Sequence, residues 1–155
     1  MTTSPGTRTL HLVDLENLAG NCGDGGAVEI RNRFAGYLEL AQWHAGDHVI
    51  VAANPSIIRR IGFDPLVPCN LHAVKGRDAA DVMLLSFAAP ELVARRYHRL
   101  VVGSGDGIFT SRARVIRSLG VGVEVVARRG ACSQRLLRSF RCSFMPRPAA
   151  VVLAA

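Results

Sequence analysis

Four aspartates stand out by what surrounds them: Asp14, Asp78, Asp81 and Asp106. Asp14 closes the run Thr9 to Val13, and Asp106 lies in the Ser-Gly-Asp-Gly turn that ends the apolar run Leu100 to Gly103. Asp78 and Asp81 stand three apart where an apolar helical stretch begins, so both can face one way. Crowded carboxylates repel one another and retain protons unless a cation lies between them. A donor set made only of carboxylate oxygens suits a hard ion, magnesium or manganese. Singly, each aspartate has a plainer reading as a turn former or a helix N-cap, and Asp78 could cap the helix that carries Asp81.

What brings these residues together is the order of the elements. Thr9 to Val13, Asp47 to Ala53, Asn70 to Val74, Leu100 to Gly103 and Val121 to Ala127 read as strands. Helical patterns separate them: 27–44, 55–62, a stretch through Ala88 with a further turn from Pro90, and 109–119 with Gly120 at its end. Strands alternating with helices predict an α/β fold, three layers α/β/α around a central parallel sheet of about five strands. Right-handed crossovers bring every strand end to one edge, and ligands bind at that edge. Asp14, Asp78, Asp81 and Asp106 all fall there.

The 155 residues divide into a flexible N-terminus (1–8), one domain (9–127), a basic extension packed on it (128–147) and an apolar tail without pattern (148–155), a candidate for disorder. The extension, with a short helix at 133–140, reads as an RNA-binding extension or as a sixth element packed on the sheet edge, and is expected to bury Leu136, Leu137 and Phe140 and to turn its arginines outward. Trp43 is assigned to a helix and to the core. Formal charge is +7, and Lys75 is the sole lysine. An arginine-rich surface suits a polyanion. There is no signal-peptide pattern and no apolar run long enough to span a bilayer, so the expected location is the cytoplasm, without a membrane partner. Cys22, Cys69, Cys132 and Cys142 form no C-x-x-C pair and read as free thiols; the five histidines share no metal spacing.

Asp14-x-Glu-Asn17-Leu after a strand, Gly76-Arg-Asp-Ala-Ala-Asp81 opening a helix, and Val102-Gly-Ser-Gly-Asp106-Gly-Ile-Phe109 resemble, in order and spacing, the NYN branch of the PIN-like nucleases. The likeness covers roughly residues 9 to 127. It implies a metal-dependent ribonuclease in which Asp14, Asp81 and Asp106 are catalytic and hold Mg2+ or Mn2+ for in-line phosphodiester hydrolysis. Asn17 would orient a ligand or the substrate, Asp78 would support the cluster, Ser104 would contact phosphate or a ligand, and Phe109 would anchor the loop. Lys75, Arg77, Arg112 and Arg114 are the candidate contacts to RNA, single-stranded or structured; a homodimer or a protein partner are further alternatives. Family members often carry another aspartate where Ile108 stands, which predicts a weaker second metal position. The competing reading is therefore a PIN-like module with weakened catalysis that binds RNA or a protein. A haloacid-dehalogenase-like phosphatase ranks below it, because that family places aspartates at Glu16 and near Thr110.

Overall fold

A computed structural model describes residues 7–20, 26–61, 65–76 and 78–146. Among them, β1 (Thr9–Asp14), α1 (Leu15–Ala19), α2 (Ala27–Leu40), β2 (His48–Ala53), α3 (Pro55–Ile61) and β3 (Asn70–Ala73) form the first half. The second half contains α4 (Ala79–Ser86), α5 (Pro90–Arg96), β4 (Arg99–Gly103), a 3-10 turn (Gly107–Phe109), α6 (Thr110–Ser118), β5 (Gly122–Arg128), α7 (Gln134–Ser139) and β6 (Arg141–Met145). All strand pairs are parallel, in the order β3-β2-β1-β4-β5-β6. The order reverses between β1 and β4, and open α/β sheets form their ligand crevice at such a switch point. Cys22, Arg77 and Arg147, together with residues 1–6 and 148–155, lie outside the described residues.

Strand side chains alternate between two cores. Leu10 and Leu12 face a layer containing Leu84, Val93, Phe109, Ile116 and Leu136 from the second-half helices. Val13 faces the opposite layer with Leu15, Ile30, Phe34, Tyr37 and Ile57. Burial on both faces explains the nearly continuous apolar runs of the central strands. One polar residue interrupts β1: His11 is fully buried, with Nδ1 at 2.9 Å from the Tyr37 hydroxyl and Nε2 at 3.2 Å from Asp47 Oδ2.

The sheet has six strands where about five were expected, because the basic segment after β5 supplies β6. Ser133 Oγ accepts from Arg135 N at 3.2 Å and caps α7. Arg114 donates to Ser139 Oγ at 2.7 Å, Arg117 donates to the Ser139 carbonyl, and the Arg117 guanidinium lies 4.7 Å over the Phe140 ring. Leu136 and Phe140 are buried as expected, whereas Leu137 stays 37 % exposed. The helix read over 27–44 stops at Leu40. Gln42 takes a positive φ of 53°, and the Trp43 amide returns to the Leu38 carbonyl at 3.0 Å, a left-handed helix terminus achieved without glycine. Trp43 thus lies beyond the helix, partly buried against the first-half core.

Candidate metal centre

Parallel pairing places Asp14, the last residue of β1, next to the end of β4, with Val13 opposite Gly103. Asp14 Oδ1 accepts from Asn17 N at 3.2 Å, and Asp106 Oδ1 accepts from Ile108 N at 3.0 Å. Both aspartates are thus N-caps as well as residents of the switch point, so the capping reading and the site reading hold together. Asp78 differs. It precedes α4 in the left-handed region, φ 60°, and makes no side-chain cap bond, so it does not cap the helix carrying Asp81.

Ligand oxygens of Asp78, Asp81 and Asp106 lie within 4.8 Å of one another. These carboxylates open on a cavity of about 390 Å³ that is also lined by Asp14, Glu16, Asn17 and Asn54. The tightest three are therefore not the expected set of Asp14, Asp81 and Asp106: Asp78 joins the cluster, and Asp14 borders it from the β1 side. Asp81 is 4 % exposed, and its Oδ1 is buried without a hydrogen-bond partner among the described residues. Burial first, then the charges of Asp106, Asp14 and Asp78, push the Asp81 carboxyl up to about 7. Burial, opposed by the Asn17 amide and reinforced by Glu16 and Asp106, raises Asp14 to about 6.

These features fit a hard divalent cation. Every donor is a carboxylate oxygen, one buried oxygen has no proton donor among the described residues, and repulsion within the cluster is what a cation would relieve. Asp78, Asp81 and Asp106 could hold it.

The supporting residues act through the backbone. Asn17 Oδ1 accepts from Gly105 N at 3.0 Å. Ser104 is fully buried, and its Oγ accepts from Asp106 N at 3.2 Å; this geometry positions the Asp106 turn rather than offering a hydroxyl to phosphate. Phe109 is buried beneath that turn. Lys75 is exposed and precedes Gly76 at the cavity wall. Arg112 and Arg114 are engaged elsewhere: Arg112 Nη1 donates to the Leu85 and Ala88 carbonyls, both at 3.2 Å, and so closes the far end of α4.

Glu16 and Asn54 were not singled out from the sequence as site residues. Asn54 N donates to Glu16 Oε1 at 2.6 Å, which joins the end of β2 to the first turn of α1. The available signal was positional, since every strand of a parallel sheet delivers its next residue to the same edge. A larger hollow of about 850 Å³ lies at the opposite edge, but its charged groups serve the fold: Arg8 Nε donates to the Gly46 carbonyl, and Asp47 accepts from Thr9 N and His44 N.

A parallel α/β sheet with carboxylates gathered at its switch point is compatible with a nuclease that works through an acidic site. The NYN domain matches residues 4–145, and the chain belongs to the NYN domain family, within the PIN-like nuclease superfamily. Nuclease domains of this family typically use divalent metals. A solved protein of unknown function, VPA0982 from Vibrio parahaemolyticus, is similar in fold: TM-score 0.60 at 18% identity, covering 96% of this chain and 98% of that one. Comparison with curated proteins gives no match. Among the described residues, no helix is long and apolar enough to cross a membrane.

Proposed function

We propose that the chain is a metal-dependent ribonuclease that hydrolyses phosphodiester bonds of RNA at the β1/β4 switch point. The observation that carries this reading is Asp81, whose buried Oδ1 has no hydrogen-bond partner among the described residues and whose carboxylate comes within 4.8 Å of those of Asp78 and Asp106. Mg2+ or Mn2+ held there would supply Lewis acidity toward phosphate and water.

The chain's own groups do the rest. Asp78, Asp81 and Asp106 would hold the ion, with Ser104 and Asn17 fixing the turn from which Asp106 projects. Asp14 borders the same cavity from the β1 side and is the carboxylate left to accept a proton from an attacking water. Lys75 stands at the rim as a phosphate contact. The three described cysteines are free, as a reducing cytoplasm allows.

A second reading rests on Ile108, which is 43 % exposed at the position where the family often carries a carboxylate. On that reading the domain binds RNA or a protein and no longer cleaves. Incubating 5′-labelled single-stranded RNA with Mn2+ or Mg2+ separates the two, with Asp14→Asn and Asp106→Asn beside the wild type. Cleavage by the wild type and loss in both variants supports the nuclease. Retained RNA binding with no cleavage by the wild type favours the binding module.

A further inference from the structure

We propose that a cavity beside the acidic pocket, between the β5–α7 turn and β6, is a nucleotide subsite holding one unstacked base of the substrate strand and its phosphate. The proposal rests on reading the acidic pocket as a nuclease centre. The cavity, of about 350 Å³, is lined by Arg129, Gly130, Cys132, Gln134, Leu137 and Phe144. Phe144 is partly buried, with one part packed on the core, and Leu137 is 37 % exposed; an apolar platform of this kind stacks a base whatever its identity. The Gln134 amide offers both a donor and an acceptor to a base edge. Arg129 is exposed and presents the planar fork that suits phosphate.

Two observations connect this cavity to the carboxylates. The first is backbone contact. A Cβ on Gly105 would lie 1.8 Å from the Ala131 carbonyl oxygen, and Ser133 N donates to the Gly105 carbonyl at 2.8 Å. Arg135 Cδ comes within 3.9 Å of where a Gly107 Cβ would be. One strip, Ala131 to Arg135, is therefore the wall between the Asp106 turn and the second cavity, and a strand crossing Gly105–Gly107 meets Arg135 on its way.

The second is charge. Residues 125–155 contain no acid and six arginines (128, 129, 135, 138, 141 and 147). Of these, Arg129 lines the cavity and Arg135 borders Gly107, and such cations beside a carboxylate pocket match a polyanion whose scissile phosphate is drawn to a cation and whose neighbouring phosphate is held by guanidinium.

The test is the affinity of a fluorescent single-stranded oligoribonucleotide in EDTA, by anisotropy, for the wild type, Arg129→Gln, Phe144→Leu and the remote control Arg95→Gln. Phe144→Leu is expected to bind about tenfold more weakly, the scale of one lost base stack. Arg129→Gln is expected to weaken binding and to reduce the slope of log affinity against log salt by about 0.7, one phosphate on a single strand. Arg95→Gln should fall short of both. Thermal unfolding accompanies each variant, and the exposed Arg129 carries the test if Phe144→Leu does not fold. Wild-type affinity in both variants, an equal loss in Arg95→Gln, or no binding by the wild type overturns the subsite. A Mn2+ cleavage assay keeps the two readings apart: binding that depends on these residues without cleavage sinks the nuclease alone, and cleavage by variants that bind normally sinks the subsite alone.

Discussion

The side-chain oxygen of Asn17 accepts the Gly105 amide proton at 3.0 Å, so the first turn after Asp14 holds the turn that carries Asp106. Two carboxylates 92 residues apart in sequence, 106 minus 14, keep their spacing through this one bond and the β1/β4 ladder. Replacing Asn17 with Ala leaves the buried Gly105 amide without its acceptor. The expected loss is about 1–3 kcal/mol of stability by urea unfolding. RNA cleavage should fall with it, although every carboxylate is intact.

Protonation of the cluster sets a pH dependence whose sign is opposite to that of ordinary salt-bridged acids. Asp81 and Asp14 are raised to about 7 and about 6 from 3.8, so between about pH 4 and pH 7 the folded chain binds more protons than the unfolded one. Stability in EDTA therefore falls as pH rises through that window and levels off above it. Melting curves across the range check this. Asp81→Asn should flatten most of the slope and melt above the wild type on the alkaline side.

Cation binding reverses that loss. Mn2+ should raise the wild-type melting temperature strongly above pH 7 and weakly near pH 5, because the ligands must first lose protons. Ile108→Asp, at an exposed position beside Asp106, adds a carboxylate and should strengthen the Mn2+ response. An unchanged response in Ile108→Asp would separate this position from the cluster.

Close backbone approach makes Gly105 irreplaceable. Gly105→Ala would drive a methyl into the Ala131 carbonyl at 1.8 Å, and the expected cost is about 1–3 kcal/mol together with reduced cleavage. Gly36→Ala, inside α2 with only Met145 Cε at 3.8 Å, should instead be neutral or stabilising by about 0.5–1 kcal/mol. Denaturant unfolding of the two variants checks the contrast.

Much of the layout was legible because a parallel sheet sorts residues by position: a strand ending on Asp14 and a strand running into Asp106 reach the same edge whatever lies between them. Other features depend on partners that no local pattern reveals. Arg112 and Arg114 look like solvent-facing cations on a helix, yet their guanidiniums fasten α4 and α7. The left-handed backbone of Asp78, which leaves its carboxylate uncommitted to a cap, has no signature in Gly-Arg-Asp-Ala-Ala. The segment after β5 was legible as a sixth element on the sheet edge, but its strand β6 was not, because Arg141 to Met145 sits in an arginine-rich stretch where charge masks a short strand.

Calorimetric titration of Mn2+ into the wild type and Asp81→Asn above pH 7 tests the central claim most directly. Saturable binding by the wild type, lost when Asp81 is amidated, is the predicted result. Equal binding by both proteins, or none by the wild type, would contradict a cation site built on the buried Asp81 oxygen.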